Sequence, residues 1–420
     1  DIFFQARESQ NRFYDAIPEI VNSYMKEINK LTGRQYKPFT YYGDENATRI
    51  IIAMGSVTDT ISQVVDYLNS NGEKVGVITV HLYRPFSTKY LFDVVPKTIK
   101  SIGVLDRTKE HGSSQPLYLD VRDAFYNSNI KPVIVGGRYG LSSKDTTPAQ
   151  ILSVFENLKL KEPKNDFTIG ITDDVTYKSL AKSEDIELNQ NTTECVFYGL
   201  GSDGTVSANK NSIKIIGDMT DNYIQGFFSY DSKKAGGLTR SYLRISKNVI
   251  KSPYLIQNPN FVVCTNFSYI TKYDMLEDIR EGGTFLLNTL YDEKTVVDKL
   301  PDNVKKMLAT KNLKMYIINA TKLSYELKLG NRINTIMQSA FFKILNIIDY
   351  EDAKKYMKHY ALKTYEKKGI EIVEKNYKAI DAGDSIKEVA VDKDWANIDI
   401  FFKEMKLTTF MQKISNPINS

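Results

Sequence analysis

The feature that most constrains the fold of this chain is a strand, glycine turn and helix pattern within residues 194–210. The apolar run at 195–198 predicts a buried strand, and the small and apolar residues at 205–216 predict a packed helix. Between them the sequence spells G-x-G-x-x-G, a spacing typical of dinucleotide-binding turns. Such a turn aims free backbone N–H groups and a helix N-terminus at an anion. The pattern therefore predicts an anion site, with a purely structural glycine turn as the alternative.

Charged residues after the next predicted strand bear on which anion would bind. The strand predicted at 227–230 is followed by Asp231, where a dinucleotide fold often binds a ribose diol. Lys233 and Lys234 come directly after it, and two ammonium groups there favour a ligand with an additional phosphate. NADP, with its 2′-phosphate, and coenzyme A, with its 3′-phosphate, both meet this requirement. A solvated lysine loop is the alternative.

The chain as a whole has the pattern of an α/β protein. Predicted strands alternate with predicted helices in two blocks, which is typical of parallel sheets covered on both faces. We predict two consecutive open, mostly parallel α/β domains with a C-terminal helical and extended tail. The predicted segments are a lead-in helix and linker at 1–45, α/β domains at 46–160 and 166–380, and a linker tail at 381–420. In the second domain, strands are predicted at 195–198, 227–230, 261–264, 284–287 and 315–318, and helices at 275–280, 303–310 and 333–345.

Composition limits the classes of protein that fit. The net charge of +5 is small and the basic residues are spread along the chain, which disfavours a nucleic-acid-binding protein. Neither a transmembrane span nor a secretory signal is expected from the hydropathy pattern. Cys195 and Cys264 lie in apolar runs without C-x-x-C spacing, which favours buried free thiols in a reducing compartment. Two cysteines are also too few for an iron–sulfur cluster.

Three further polar residues are candidates for a site. Asn334 lies near the start of a predicted helix. Its side chain would either cap that helix or donate a hydrogen bond to a ligand. Asn376 lies among charged residues and is predicted at the surface. His111 lies in a polar loop, but no serine or cysteine nucleophile pairs with it, so no catalytic residue is predicted. No metal-binding spacing such as H-E-x-x-H is present, so no metal ligand is predicted.

Short motifs lie along nearly the whole chain: FFQARE at 3–8, LTGRQY at 31–36, LYRPF at 82–86, VLDRTKE at 104–110, GRYGLSSK at 137–144, YGLGSDGTV at 198–206, GFFSYDSKK at 226–234 and GNRIN at 330–334. With these motifs the chain resembles the central part of the pyruvate:ferredoxin (flavodoxin) oxidoreductase family, or the homologous part of a pyruvate:NADP oxidoreductase. The sequence departs from the family pattern at His111, where the family more often has proline, and at Asn331, where a second glycine is common.

The resemblance implies different tasks for the two domains. The first is similar to a transketolase C-terminal domain, and the second to the domain with which the family holds coenzyme A. Which of the two lysines contacts the ligand stays open, and the resemblance replaces the surface interpretation of Asn376. The residues that it implies for coenzyme A binding are Gly201, Ser202, Asp203, Gly204, Thr205, Lys233, Lys234, Asn334 and Asn376.

The resemblance also implies parts outside these residues. According to the resemblance, thiamine diphosphate, Mg²⁺ and 4Fe–4S clusters would be bound by parts of the polypeptide before Asp1 and beyond Ser420. The chain begins without methionine and is therefore expected to be a piece of a longer protein. Ferredoxin, flavodoxin or a fused reductase would accept the electrons, and the complete chain would form a homodimer. The protein would be cytoplasmic, or lie in a reduced mitochondrion-like organelle in a eukaryote. On its own this chain would bind coenzyme A without catalysing a reaction. A stand-alone NADP-binding dehydrogenase of Rossmann type is the alternative.

Overall fold

The computed structural model describes residues 1–188, 191–231 and 236–400. The chain divides into two compact units. Unit 1 comprises residues 1–188 and the short segment 251–254, and unit 2 comprises the other described residues. No helix in these described ranges has the length and apolar character needed to cross a membrane. Lys233 and Lys234, at the centre of the predicted phosphate contacts, lie outside the described residues.

Unit 1 is an α/β unit preceded by two helices, α1 (Ile2–Ser9) and α2 (Asn11–Thr32), that bury none of their side chains. Its strands are β1 (Phe39–Gly43), β2 (Arg49–Ala53), β3 (Val75–Val80), β4 (Ser101–Asp106), β5 (Val133–Arg138) and β6 (Phe167–Thr168). Its other helices are α3 (Val57–Ser70), α4 (Thr88–Phe92), α5 (Pro116–Tyr126) and α6 (Pro148–Lys159).

The sheet of unit 1 has the order β1-β3-β2-β4-β5-β6. All neighbouring strands are parallel except β1, which is antiparallel to β3. Strand β2 shows why an apolar run predicts such a sheet. Ile51 packs into the core on one face, while Ile50 and Ile52 pack into the core on the other. A strand that is buried on both faces has no polar side, so its sequence is apolar throughout.

Unit 2 contains the predicted strand–turn–helix and a larger sheet. Its strands are β7 (Thr192–Leu200), β8 (Tyr223–Tyr230), β9 (Leu238–Ser246), β10 (Phe261–Cys264), β11 (Thr284–Asn288), β12 (Lys314–Ile318) and β13 (Lys387–Val389). Its helices are α7 (Thr205–Met219), α8 (Thr295–Lys299), α9 (Asp302–Thr310), α10 (Ala320–Glu326), α11 (Asn334–Leu345), α12 (Tyr350–Tyr365) and α13 (Ile370–Ala382).

The sheet of unit 2 has the order β13-β12-β11-β10-β7-β9-β8. Strands β12, β11, β10 and β7 are parallel, β9 is antiparallel to both of its neighbours, and β13 is antiparallel to β12. The predicted fold class, two mostly parallel α/β sheets, is confirmed. Strands β1 and β13 are edge strands of the two sheets, and they lie in the segments predicted as lead-in and tail.

Two details of unit 2 differ from the sequence predictions. Strand β9 was not predicted, because its charged residues are not expected in a strand that has neighbours on both sides. Arg244 of β9 lies directly opposite Glu194 of β7, and the two neutralise each other there. The helix predicted at 275–280 is wrong, since this segment forms turns. Its apolar residues Leu276 and Ile279 are buried in the core without helical backbone.

Candidate functional site at the glycine loop

The glycine loop, residues 201–204, lies at the carboxyl edge of the unit 2 sheet, between β7 and α7. From β7 the chain passes through α7 to β8 and β9 on one side, and then crosses to β10 on the other side of β7. The connections therefore change direction next to the loop. In open α/β sheets, ligands bind in the crevice outside the carboxyl ends of the strands at such a point.

Asp203 holds the loop in shape. Its side chain is buried, and its Oδ1 accepts a hydrogen bond from the backbone N–H of Thr205 at 2.7 Å. Its Oδ2 accepts from the N–H of Leu200 at 3.0 Å and from Oγ1 of Thr265, just after β10, at 2.9 Å. The carboxylate therefore ties the loop to the start of α7 and to the neighbouring strand. Its bonds within the protein make Asp203 a residue that positions the site.

Gly204 and Asn334 lie against each other. Gly204 has a φ of +88°, and a methyl group on it would lie 2.7 Å from Cγ of Asn334. Asn334 is the first residue of α11, and no side-chain hydrogen bond caps that helix, so the capping interpretation of Asn334 is wrong. Its half-buried amide covers the glycine loop instead. Only glycine both adopts this backbone conformation easily and leaves room for the amide.

Two buried hydroxyl groups lie beside the start of α7. A methyl group on Gly199 would lie 2.8 Å from Oγ1 of Thr239 and 3.0 Å from Cβ of Thr205, which places the two threonines together. Within the described part of the chain, neither Thr205 Oγ1 nor Thr239 Oγ1 has a hydrogen-bond partner. Buried polar groups are nearly always paired, so these oxygens are available to a ligand or to a water molecule. Asn209 Nδ2, Ser241 Oγ and Gln338 Nε2 are buried and unpaired in the same sense.

The hairpin formed by β8 and β9 returns to the glycine loop. The N–H of Gly201 donates to the carbonyl oxygen of Gly237 at 2.7 Å, and the N–H of Asp231 donates to that of Leu238 at 3.1 Å. The two ends of the hairpin connection thus lie at the carboxyl edge of β7, and Lys233 and Lys234 belong to the segment between them. Strand β8, however, is separated from β7 by β9. In a dinucleotide-binding fold the second strand is the immediate neighbour of the first, so Asp231 is not placed as a ribose ligand would be.

Asn376 is buried, with only 5% of its surface exposed, so its interpretation as a surface residue is wrong. Its Oδ1 accepts a hydrogen bond from Oγ1 of Thr335 at 3.3 Å, and its Nδ2 donates to the carbonyl oxygen of Ile372 at 2.8 Å. Asn376 thus fixes α13 against the first turn of α11, next to Asn334. A local signal existed, because Val373, Asn376 and Ile380 lie on one helical face and all are buried.

A group of aromatic and cationic side chains on the other face of β7 and β9 was missed with β9 itself. Tyr198 and Arg240 lie directly opposite each other in the two strands. The guanidinium carbon of Arg240 is 5.3 Å from the ring centroid of Tyr198 and 5.9 Å from that of Tyr273. The hydroxyl group of Tyr269 is buried nearby. Burial raises the pKa of Tyr269, and the carboxylate of Asp203 acts in the same direction.

The one candidate histidine and the two cysteines lie in surroundings that do not suit catalysis. His111 is exposed in the loop between β4 and α5 of unit 1. Cys195 and Cys264 are buried free thiols, as predicted. Burial raises the pKa of Cys264 to about 12 and raises that of Cys195 as well. Because the thiolate is the reactive form, neither cysteine is suited to nucleophilic chemistry.

Comparison with known proteins assigns both units to one class of oxidoreductase. Residues 194–386 match the family described as pyruvate ferredoxin/flavodoxin oxidoreductase, and residues 47–151 match pyruvate:ferredoxin oxidoreductase core domain II. The chain is 51% identical over its whole length to the pyruvate-flavodoxin oxidoreductase of Enterobacter agglomerans, and 48% identical to the pyruvate:ferredoxin oxidoreductase of Moorella thermoacetica. The protein belongs to the pyruvate ferredoxin/flavodoxin oxidoreductase family. It spans 36% of the length of each of these two relatives.

A more distant likeness is found among solved structures. A pyruvate oxidoreductase subunit of Thermotoga maritima is 20% identical, with a TM-score of 0.39, over 47% of this chain and 99% of the subunit.

Proposed function

We propose that unit 2 binds coenzyme A and positions it within a longer, thiamine-diphosphate-dependent pyruvate oxidoreductase. In that reaction pyruvate and coenzyme A give acetyl-coenzyme A and CO₂, and two electrons pass to ferredoxin, flavodoxin or NADP. One observation carries the proposal. At the start of α7, the buried hydroxyl group of Thr205 has no hydrogen-bond partner in the described ranges, and the amide of Asn334, which does not cap its helix, lies beside it. This chemistry suits a phosphate group, because Thr205 Oγ1 and the amide of Asn334 can donate hydrogen bonds beside the positive end of the α7 helix dipole.

The residues have separate tasks in this proposal. The diphosphate of coenzyme A would lie at the N-terminus of α7, where N–H groups of the first turn have no intrahelical acceptor. Thr205 Oγ1 and the amide of Asn334 would donate to it. Asp203 and Asn376 would act indirectly, the first by shaping the loop and the second by fixing the start of α11. Lys233 and Lys234 would contribute positive charge from the hairpin connection.

This chain supplies binding and orientation in the proposal, and the chemical step lies elsewhere. Thiamine diphosphate supplies the decarboxylation chemistry and 4Fe–4S clusters carry the electrons, both on other domains of the polypeptide. Ferredoxin, flavodoxin or a fused reductase would be the acceptor, the full-length protein would be a homodimer, and its location would be the cytoplasm or a reduced mitochondrion-like organelle. The length of the relatives supports such additional domains, since this chain spans only 36% of them.

An NADP-binding dehydrogenase is the second candidate, because β7, the glycine loop and α7 reproduce the G-x-G-x-x-G arrangement. The position of β9 between β7 and β8 argues against it, since it moves Asp231 away from the neighbouring strand end. Titration calorimetry of the chain with coenzyme A and with NADP separates the two. Binding of NADP without binding of coenzyme A would favour the dehydrogenase.

The Gly204→Ala variant tests whether the glycine loop is the binding site. We expect coenzyme A affinity to fall about tenfold or more, ~1.4 kcal/mol per factor of ten, because the methyl group meets Asn334 at 2.7 Å. Gly55→Ala is a matched control, because Gly55 also has a positive φ, +80°, but a methyl group there meets nothing within 4 Å. Equal affinity in the Gly204→Ala and Gly55→Ala variants would refute the proposed site.

A further inference from the structure

Arg240 has a half-buried side chain that forms no ion pair with an acid of the described residues. Its Nε atom is buried and finds no hydrogen-bond partner in the same residues. Strand β9 provides a contrast. Arg244 of the same strand donates to Glu194 at 2.7 Å, and both of these side chains are only 4% exposed. A partly buried arginine without a carboxylate is costly unless an anion pairs with it in the functional state.

The rings of Tyr198 and Tyr273 hold Arg240 in a defined place. The guanidinium carbon lies within 6 Å of both ring centroids, the distance range of cation–π contacts. Such stacking restricts the rotation of the planar group and engages its faces rather than its N–H groups. A guanidinium fixed in this way is suited to bidentate binding of a phosphate, and less of its conformational entropy is lost on binding.

The location of Arg240 connects it with the glycine loop. Thr239, the preceding residue, lies beside Thr205 at the start of α7. Because successive residues of a strand point to opposite faces, Arg240 lies on the other face of the sheet at nearly the same height. A ligand that crosses the sheet edge formed by the carboxyl end of β7 and the amino end of β9 would thus meet the N-terminus of α7 on one face and Arg240 on the other.

We propose that Arg240 binds the 3′-phosphate of the adenosine end of the ligand and so makes the site specific for a 3′-phosphorylated nucleotide. The inference rests on the proposed function, in which the diphosphate occupies the start of α7. The 3′-phosphate is then the remaining anionic group of coenzyme A, and as a phosphate monoester it is close to doubly charged at neutral pH. An arginine fork that pairs with no carboxylate of the described residues matches such a dianion.

Adenosine nucleotides test this inference separately from coenzyme A. Titration calorimetry compares adenosine 3′,5′-bisphosphate, adenosine 2′,5′-bisphosphate and 5′-AMP on the wild-type chain and on Arg240→Gln. We expect the wild-type chain to bind the 3′,5′-bisphosphate about tenfold more tightly than 5′-AMP, and Arg240→Gln to lose that preference while its 5′-AMP affinity stays unchanged. Arg122→Gln is the matched control, because Arg122 also stacks on a tyrosine, 5.5 Å from the ring of Tyr118 in unit 1, and it should retain the preference.

Three results would overturn the inference: an equal preference in Arg240→Gln, no preference in the wild-type chain, or tighter binding of the 2′,5′-bisphosphate. If Arg240→Gln does not fold, Arg240→Lys decides, since a lysine keeps the charge but loses the fork and should weaken only the bisphosphate. Discrimination between the nucleotides without binding of coenzyme A would support Arg240 and refute the proposed function. Loss of coenzyme A binding in Gly204→Ala, together with no discrimination between the nucleotides, would support the proposed function and refute the role of Arg240.

Discussion

Replacement of Asp203 by asparagine tests how the glycine loop is built. The carboxylate accepts three hydrogen bonds, from the N–H of Leu200, the N–H of Thr205 and Oγ1 of Thr265. An asparagine with its carbonyl oxygen at the Oδ2 position still accepts the hydrogen bonds from Leu200 and Thr265. Its NH₂ group then faces the N–H of Thr205, and both groups are donors. The variant loses one charge-assisted hydrogen bond, worth about 1.5–3 kcal/mol, and leaves one buried donor unpaired. We expect unit 2 to be destabilised by about 2–4 kcal/mol.

The single tryptophan makes this measurable, because Trp395 packs against the core of unit 2. Urea unfolding followed by tryptophan fluorescence therefore reports on that unit. Asp221→Asn is the control, since Asp221 is exposed in the turn between α7 and β8 and should change the unfolding free energy by less than about 0.5 kcal/mol. A loss in Asp203→Asn no larger than in this control would show that the carboxylate does not hold the loop.

Three further predictions concern buried groups of unit 2. Thr205→Val should leave stability unchanged or raise it by about 1 kcal/mol, because it removes a buried hydroxyl without a described partner, yet it should weaken coenzyme A binding; a clear loss of stability in urea would argue against this. Glu194→Gln should destabilise unit 2 by about 3–5 kcal/mol in the same assay, because it leaves the charge of Arg244 buried, and a loss below about 1 kcal/mol would contradict the ion pair's importance. Cys195 and Cys264 should both resist an aromatic disulfide reagent at pH 8 and react only in urea, because burial raises their pKa values and keeps them protonated well above that pH; rapid reaction of the folded chain would refute this.

The parts of the fold that were predictable from sequence are segments whose own residues are apolar enough to indicate burial. Strand β10 is apolar from Phe261 to Cys264 and lies between two parallel strands, so its own sequence specifies its place. Strand β9 is different, since Arg244 is tolerated inside the sheet only because Glu194, fifty positions earlier in the sequence, lies opposite it. A pattern within one segment cannot show that its charge is neutralised by another.

The candidate site follows the same rule. The glycine spacing at 199–204 predicted a strand, a turn and a helix because all three are local features. The contact of Asn334 with Gly204 depends on the packing of distant helices, so no local pattern predicted it. The burial of Asn376 had a local signal in its helical face, but only the family resemblance connected this residue with the site. The guanidinium of Arg240, which forms no ion pair within the described residues, had no signal in the sequence, because an arginine in a strand of alternating polarity normally faces water.

Strand β9 carries two proposed ligand contacts of different chemistry in consecutive residues. Thr239 offers a hydroxyl on the face of α7, and Arg240 offers a cation on the opposite face. The nine-residue register between β7 and β9 therefore also determines on which face of the sheet each of these side chains lies. Insertion or deletion of one residue within β9 would exchange the two faces and bring each contact to the wrong side of the ligand, although every side chain would still be present. Variation in the length of this strand should thus be far more damaging than variation in the residues that compose it.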